Sequence, residues 1–160
     1  MKAKFVEREN LHISLKFLGD LNSQEIDKTI IILQRISTQY HCFMISLAES
    51  IGSFPTFNRP RVIWAGINKG NNIILEIYRT INDNLRREPF YPKEKESRFS
   101  AHITLARVKY VKYPGQLANF TNNIKIKGIS QQVKTIDLME SQLTKKGPEY
   151  KVIHRFPLLA

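Results

Sequence analysis

Only one of the 160 residues, Cys42, is a cysteine, so the chain can close no internal disulfide and offers no thiolate cluster for zinc; a buried, inert thiol is its expected part. Long apolar runs are absent too. None approaches the length of a membrane span, and the opening MKAKFVEREN puts charges where a signal peptide needs its apolar stretch, so the sequence predicts no membrane partner and a cytoplasmic location. Acidic residues are in short supply: 14 Asp plus Glu face 25 Lys plus Arg, a formal net charge of +11 that points to a polyanionic partner. Core material, by contrast, is plentiful. Hydrophobic residues make up 42% of a length that fits one domain, expected to span residues 1–160 with a sizeable apolar interior.

The basic excess is uneven. Residues 1–60 hold 7 basic and 6 acidic groups, and residues 61–160 hold 18 and 8, with aromatics threaded among them in RREPFYPKEKESRFS and ARVKYVKY. Such a stretch fits a surface that tracks phosphates and stacks bases, and equally a solvated loop followed by an ordinary basic strand.

Hydrophobic periodicity sets out the elements. LHISLKF alternates as a strand with Leu11, Ile13, Leu15 and Phe17 on one side and His12, Ser14 and Lys16 on the other. Asn22 then reads as an N-cap with Glu25 completing a capping box, and Ile26, Ile30, Leu33 and Ile36 give a helix over about residues 23–39. CFMISLAES and RPRVIWAGI read as strands around a loop, GSFPTFNRP. A second helix covers 71–87, with Ile73, Ile74, Ile77, Ile81 and Leu85 on one face, and a charged loop leads to Ser100. AHITLARV alternates again, a short helix follows from Pro114 to Asn122, and VKTIDLMESQLTKKGPEYKVIHRFPL forms two strands joined at Lys146-Gly147-Pro148. Strands and helices mixed without strict alternation predict an α+β fold with largely antiparallel sheets.

Histidine is scarce as well, yet two of the four open matching tetrads, His12-Ile13-Ser14-Leu15 and His102-Ile103-Thr104-Leu105. Ordinary residue usage gives that coincidence roughly one chance in ten thousand. Each tetrad sets a histidine and a hydroxyl on one face of its strand, away from the core. A tetrad on a strand, a short connection and a helix occur in both halves, an approximate internal duplication. Two related lobes, face to face, would bring both pairs to one cleft.

Imidazoles, with solution pKa near 6.5, can stand one neutral and one protonated at neutral pH, which suits a reaction that removes one proton and delivers another. In-line displacement at phosphorus is such a reaction, with hydroxyls donating to the equatorial oxygens as charge gathers there. Arg107, just past the second tetrad, would add positive charge, although strict alternation turns it to the core side. A hydrolytic triad fits less well because neither tetrad has an Asp nearby. A metal site lacks the carboxylates or thiolates to complete two histidines. No cofactor is implied.

The tetrads, the flanking ENLHISLKFLGDL, the FP...RPRVIWAGI segment and the closing ESQLTKKGPEYKVIHRFPL together resemble the RNA 2′,3′-cyclic phosphodiesterase family, also called 2′-5′ RNA ligase, of the two-histidine phosphoesterase superfamily. The resemblance runs from Phe5 to Leu158. It implies a bilobal fold of two pseudo-symmetric sheets with outer helices and a central cleft, and metal-independent hydrolysis of RNA 2′,3′-cyclic phosphate ends to 2′-phosphates, with 2′-5′ ligation at the same site. His12 then matches the proton donor and His102 the proton acceptor, and Ser14 stands where the family mostly has Thr. The family also implies a strand and helix ahead of the first tetrad, where this sequence has eleven residues. Either more chain precedes Met1 or a second copy covers the edge left at AKFVE; a monomer is expected otherwise. The alternative function is a module that binds RNA ends or nucleotides in the same basic cleft without turning them over.

Overall fold

The computed structural model describes residues 1–91, 99–144 and 147–160. The elements run β1 (Lys2–Phe5), a 3-10 turn (Arg8–Asn10), α1 (Ser23–Ser37), β2 (Phe43–Phe54), β3 (Val62–Ile67), α2 (Asn71–Leu85), β4 (His102–Tyr110), α3 (Pro114–Asn123), β5 (Ser130–Val133), β6 (Thr135–Thr144) and β7 (Gly147–Pro157). They form a five-stranded sheet in the order β1-β4-β3-β2-β5 and a two-stranded sheet, β6-β7. The named pairings between strands are antiparallel, so the fold is α+β as the patterns predict. The chain divides into two compact units: Met1–Leu15, Met44–Ile74 and Phe99–Gln131 form the first, and Lys16–Phe43, Leu75–Arg98 and Gln132–Ala160 the second. No helix among the described residues is long and apolar enough to cross a membrane.

The first unit is built on the larger sheet. Its core face carries Ile63, Ala106 and Val108, packed by Ala3, Ile51, Phe57, Val111 and, from α3, Leu117. In the second unit α1 lies against both β6 and β7. Thr29, Ile32, Leu33, Ile36 and Ser37 are buried along α1, Ile77, Ile81 and Leu85 along α2, and Ile136, Leu138 and Phe156 on the hairpin. A hydrogen bond from Arg35 to Asn84 ties α1 to α2, and one between Tyr40 and Thr80 ties the segment after α1 to the same helix. Across the hairpin Arg155 donates to both carboxylate oxygens of its cross-strand partner Asp137, which raises the guanidinium pKa above its ordinary value through those hydrogen bonds and the opposite charge.

The capping box is present as read: the Asn22 side chain accepts from the Glu25 amide, and the Glu25 carboxylate accepts from the Asn22 amide. Both are otherwise orphan donors of the first turn. Asn22→Ala is expected to cost about 1 kcal/mol, a drop in Tm of roughly 2–4 °C in thermal unfolding.

Several boundaries differ from the sequence reading. LHISLKF is not a ladder strand: it makes one isolated bridge, Ile13 to Ile103, and Leu11 and Phe17 are 42% and 82% exposed rather than in the core. A single bridge cannot enforce two-residue periodicity along seven residues. Gly52, Ser53 and Phe54 belong to β2, not to the loop, because they pair with Trp64, Ile63 and Val62. The helices end two residues early, at Ser37 and Leu85. Gly147 and Pro148 are already paired in β7, opposite Thr144 and Leu143. Cys42 is only part-buried. Of the charged loop before Ser100, residues 92–98 lie outside the described residues, as do Lys145 and Lys146 of the hairpin connection.

Candidate active site

Both tetrads belong to the first unit. The antiparallel bridge between Ile13 and Ile103 brings them side by side. That register, carried one residue each way, would set His12 opposite Thr104 and Ser14 opposite His102, with the histidines on one diagonal and the hydroxyls on the other. Diagonal neighbours of an antiparallel pair stand about 7–8 Å apart, enough to leave a phosphoryl group between two rings.

The ladder between β3 and β4 fixes which way these side chains point. Ile63 pairs with Ala106 but Trp64 pairs with Thr104, so Leu105 is an extra residue on β4, a β-bulge. Partners across a ladder share a face. Ile63 and Ala65 are both buried and share the core face, so their partners Ala106 and Ile103 do too, despite their odd spacing. Val62, Trp64 and Gly66 alternate to the other face and carry Arg107, Thr104 and His102 with them. The bridge at Ile13 sets His12 and Ser14 on either side of the residue that meets Ile103.

His102, Thr104 and Arg107 therefore share one sheet face, and His12 and Ser14 flank the bridge that adjoins it. Arg107 is the correction: strict alternation buries it, and the bulge at Leu105 shifts the phase and leaves it exposed beside Thr104.

The two rings are held alike. His12 Nδ1 lies 2.7 Å from the Asn10 carbonyl oxygen and His102 Nδ1 lies 2.7 Å from that of Ser100, each two residues back along the chain. A carbonyl only accepts, so Nδ1 carries the proton in both rings. The neutral form then has its basic nitrogen at Nε2, and the protonated form has its second acidic hydrogen there.

Three residues beside His102 were not marked by the sequence. Phe54 stacks on Trp64 at 5.0 Å between ring centroids, and both meet the His102 ring edge-on, at 5.0 and 6.0 Å. The indole lies flat over Gly52, where a Cβ would collide with its ring. Only glycine leaves room for it there. Nothing in FP...RPRVIWAGI announces this cluster, since it depends on the cross-strand pairing of Gly52 with Trp64 and of Phe54 with Val62.

A family model described as the AKAP7 2′5′ RNA ligase-like domain matches residues 1–157. A protein of Methanocaldococcus jannaschii named RNA 2′,3′-cyclic phosphodiesterase is 34% identical over 151 residues, spanning 94% of this chain and 82% of that one. A protein of the same name from Aquifex aeolicus is 31% identical over 157 residues, spanning 97% and 81%. Among solved structures, TT0787 of Thermus thermophilus superimposes with a TM-score of 0.73 at 28% identity, over 98% of this chain and 82% of its own. With nearly its whole length matched, this chain belongs to the 2′5′ RNA ligase-like family.

Proposed function

We propose that the protein hydrolyses RNA 2′,3′-cyclic phosphate ends to 2′-phosphomonoesters, without a metal, by general acid–base catalysis between His12 and His102. The juxtaposition of the two tetrads at the Ile13–Ile103 bridge carries this reading, with each histidine ring anchored through Nδ1 to a backbone carbonyl two residues back. The names of the relatives from Methanocaldococcus jannaschii and Aquifex aeolicus support the substrate class.

In this mechanism neutral His102 takes a proton from water through Nε2 as the oxygen attacks phosphorus in line with O3′. Protonated His12 delivers its Nε2 hydrogen to O3′ as the P–O3′ bond breaks. Ser14 and Thr104 donate to the non-bridging oxygens, and Arg107 adds positive charge on the same face. The products are a 3′-hydroxyl and a 2′-phosphate. Proton exchange with solvent then resets both rings. With a 5′-hydroxyl in place of water the same attack leaves a 2′-5′ linkage, which excess water disfavours.

The test is to supply a short RNA with a 2′,3′-cyclic end in the presence of chelator and identify the product. A 2′-phosphate is expected. A 3′-phosphate would refute the donor role of His12, and tight binding without turnover would favour the non-catalytic module.

A further inference from the structure

Two columns of side chains run together on the site face. Along the outer edge stand Lys2 and Lys4 of β1, then His12 and Ser14; along β4 stand Tyr110, Arg107, Thr104 and His102. The ladder pairs Lys4 with Arg107 and Lys2 with Tyr110. A second bulge, at Lys109, keeps Tyr110 in phase with Arg107, and Tyr110 is 61% exposed. Within the first unit 11 Lys and Arg face only 3 Asp and Glu, so most of the protein's net charge of +11 lies on the unit that bears both tetrads.

We infer that Lys4, Lys2 and Tyr110 form a subsite for the nucleotides 5′ of the cyclic end, making a single-stranded oligonucleotide a better substrate than a cyclic mononucleotide. This rests on the proposed reaction at His12 and His102. Each two-residue step along these strands covers about 6.6 Å. From Thr104 to the row of Arg107 and Lys4, and on to that of Tyr110 and Lys2, is roughly 13 Å, beyond the reach of one nucleotide whose phosphate sits between the histidines. Two rows of cations meet two upstream phosphates, and the exposed Tyr110 ring offers a base a stacking face in any sequence.

The experiment compares kcat/KM on a cyclic mononucleotide and on a tetranucleotide with the same cyclic end, and binding of the corresponding 2′-phosphate strands, which needs no turnover. The wild-type ratio of tetramer to monomer is expected to be about tenfold or more, and to fall toward one in the Lys2→Glu/Lys4→Glu double variant. Being a ratio, it does not depend on the fraction of folded enzyme. Tyr110→Ala should lower it about threefold and Tyr110→Phe restore it. Lys151→Glu, on β7 of the other unit, makes the same kind of charge change and should leave it unmoved. The salt slope should be steeper for the tetramer by about 1.4, since each phosphate contact on a single strand contributes about 0.7, and the double variant should lose that excess. A ratio near one in the wild type, in both turnover and binding, overturns the subsite and leaves the hydrolase reading intact. A length advantage in binding without turnover of either substrate would instead remove the hydrolase and keep the subsite.

Discussion

His102→Ala and His12→Ala are each expected to lower kcat/KM on a cyclic-phosphate RNA end by about 10²- to 10⁴-fold, the range a positioned acid or base supplies. The two losses should differ in kind. His102, as base, must be unprotonated to act, so the wild-type rate should rise with pH on the acid side; His12, as acid, must be protonated, so the rate should fall on the alkaline side. Removing His102 should abolish the first limb and removing His12 the second. Leaving groups separate the roles further. A nucleoside 2′-phosphate ester of a nitrophenol departs without protonation, so His12→Ala should recover most of its rate on that substrate while His102→Ala stays impaired. Equal rescue of both variants would mean the roles are misassigned, and a profile flat from pH 5 to 9 would argue against two-histidine chemistry altogether. Neither substitution should unfold the protein: His12 is exposed, and the hydrogen bonds lost from Nδ1 end on backbone carbonyls only two residues away along the chain.

Much of this site could be read from the sequence because its determinants are local. The repeated histidine–hydroxyl spacing is visible within each tetrad, and Asn22 with Glu25 announces its capping box within four residues. What could not be read depends on non-local pairing. The phase shift at Leu105 that turns Arg107 outward is fixed by the register of β3 against β4, and no residue type in HITLARVKY marks a bulge. The same holds for Gly52, which reads as a loop residue until Trp64 is found lying over it. LHISLKF failed as a strand for the opposite reason: its alternation is strong, but only Ile13 finds a bridging partner. The adjacency of the tetrads at the Ile13–Ile103 bridge is likewise a matter of which segment lies beside which.

Thr104→Val is expected to cut kcat by about ten- to a thousandfold with little change in KM, and Ser14→Ala to do the same. Valine matches threonine in shape and removes only the hydroxyl, so the Thr104 result isolates one hydrogen bond. The non-bridging oxygens gain negative charge as water adds, and a donor aimed at them binds the transition state more tightly than the ground state. That difference appears in kcat. The proposed diagonal arrangement adds a sharper test: with Ser14 opposite His102 and Thr104 opposite His12, the two hydroxyls would approach phosphorus from opposite corners and meet different non-bridging oxygens. Sulfur accepts hydrogen bonds poorly. A cyclic phosphorothioate end of one configuration should therefore lose most of its rate through the Thr104 contact and the other through the Ser14 contact, and each variant should flatten the preference for its own diastereomer. Thr104→Ser and Ser14→Thr, which keep the hydroxyl, should stay within severalfold of the parent. If the alanine and valine variants raised KM while kcat held, the hydroxyls would be binding the substrate in its ground state, and their part in stabilising the displacement would have to be given up.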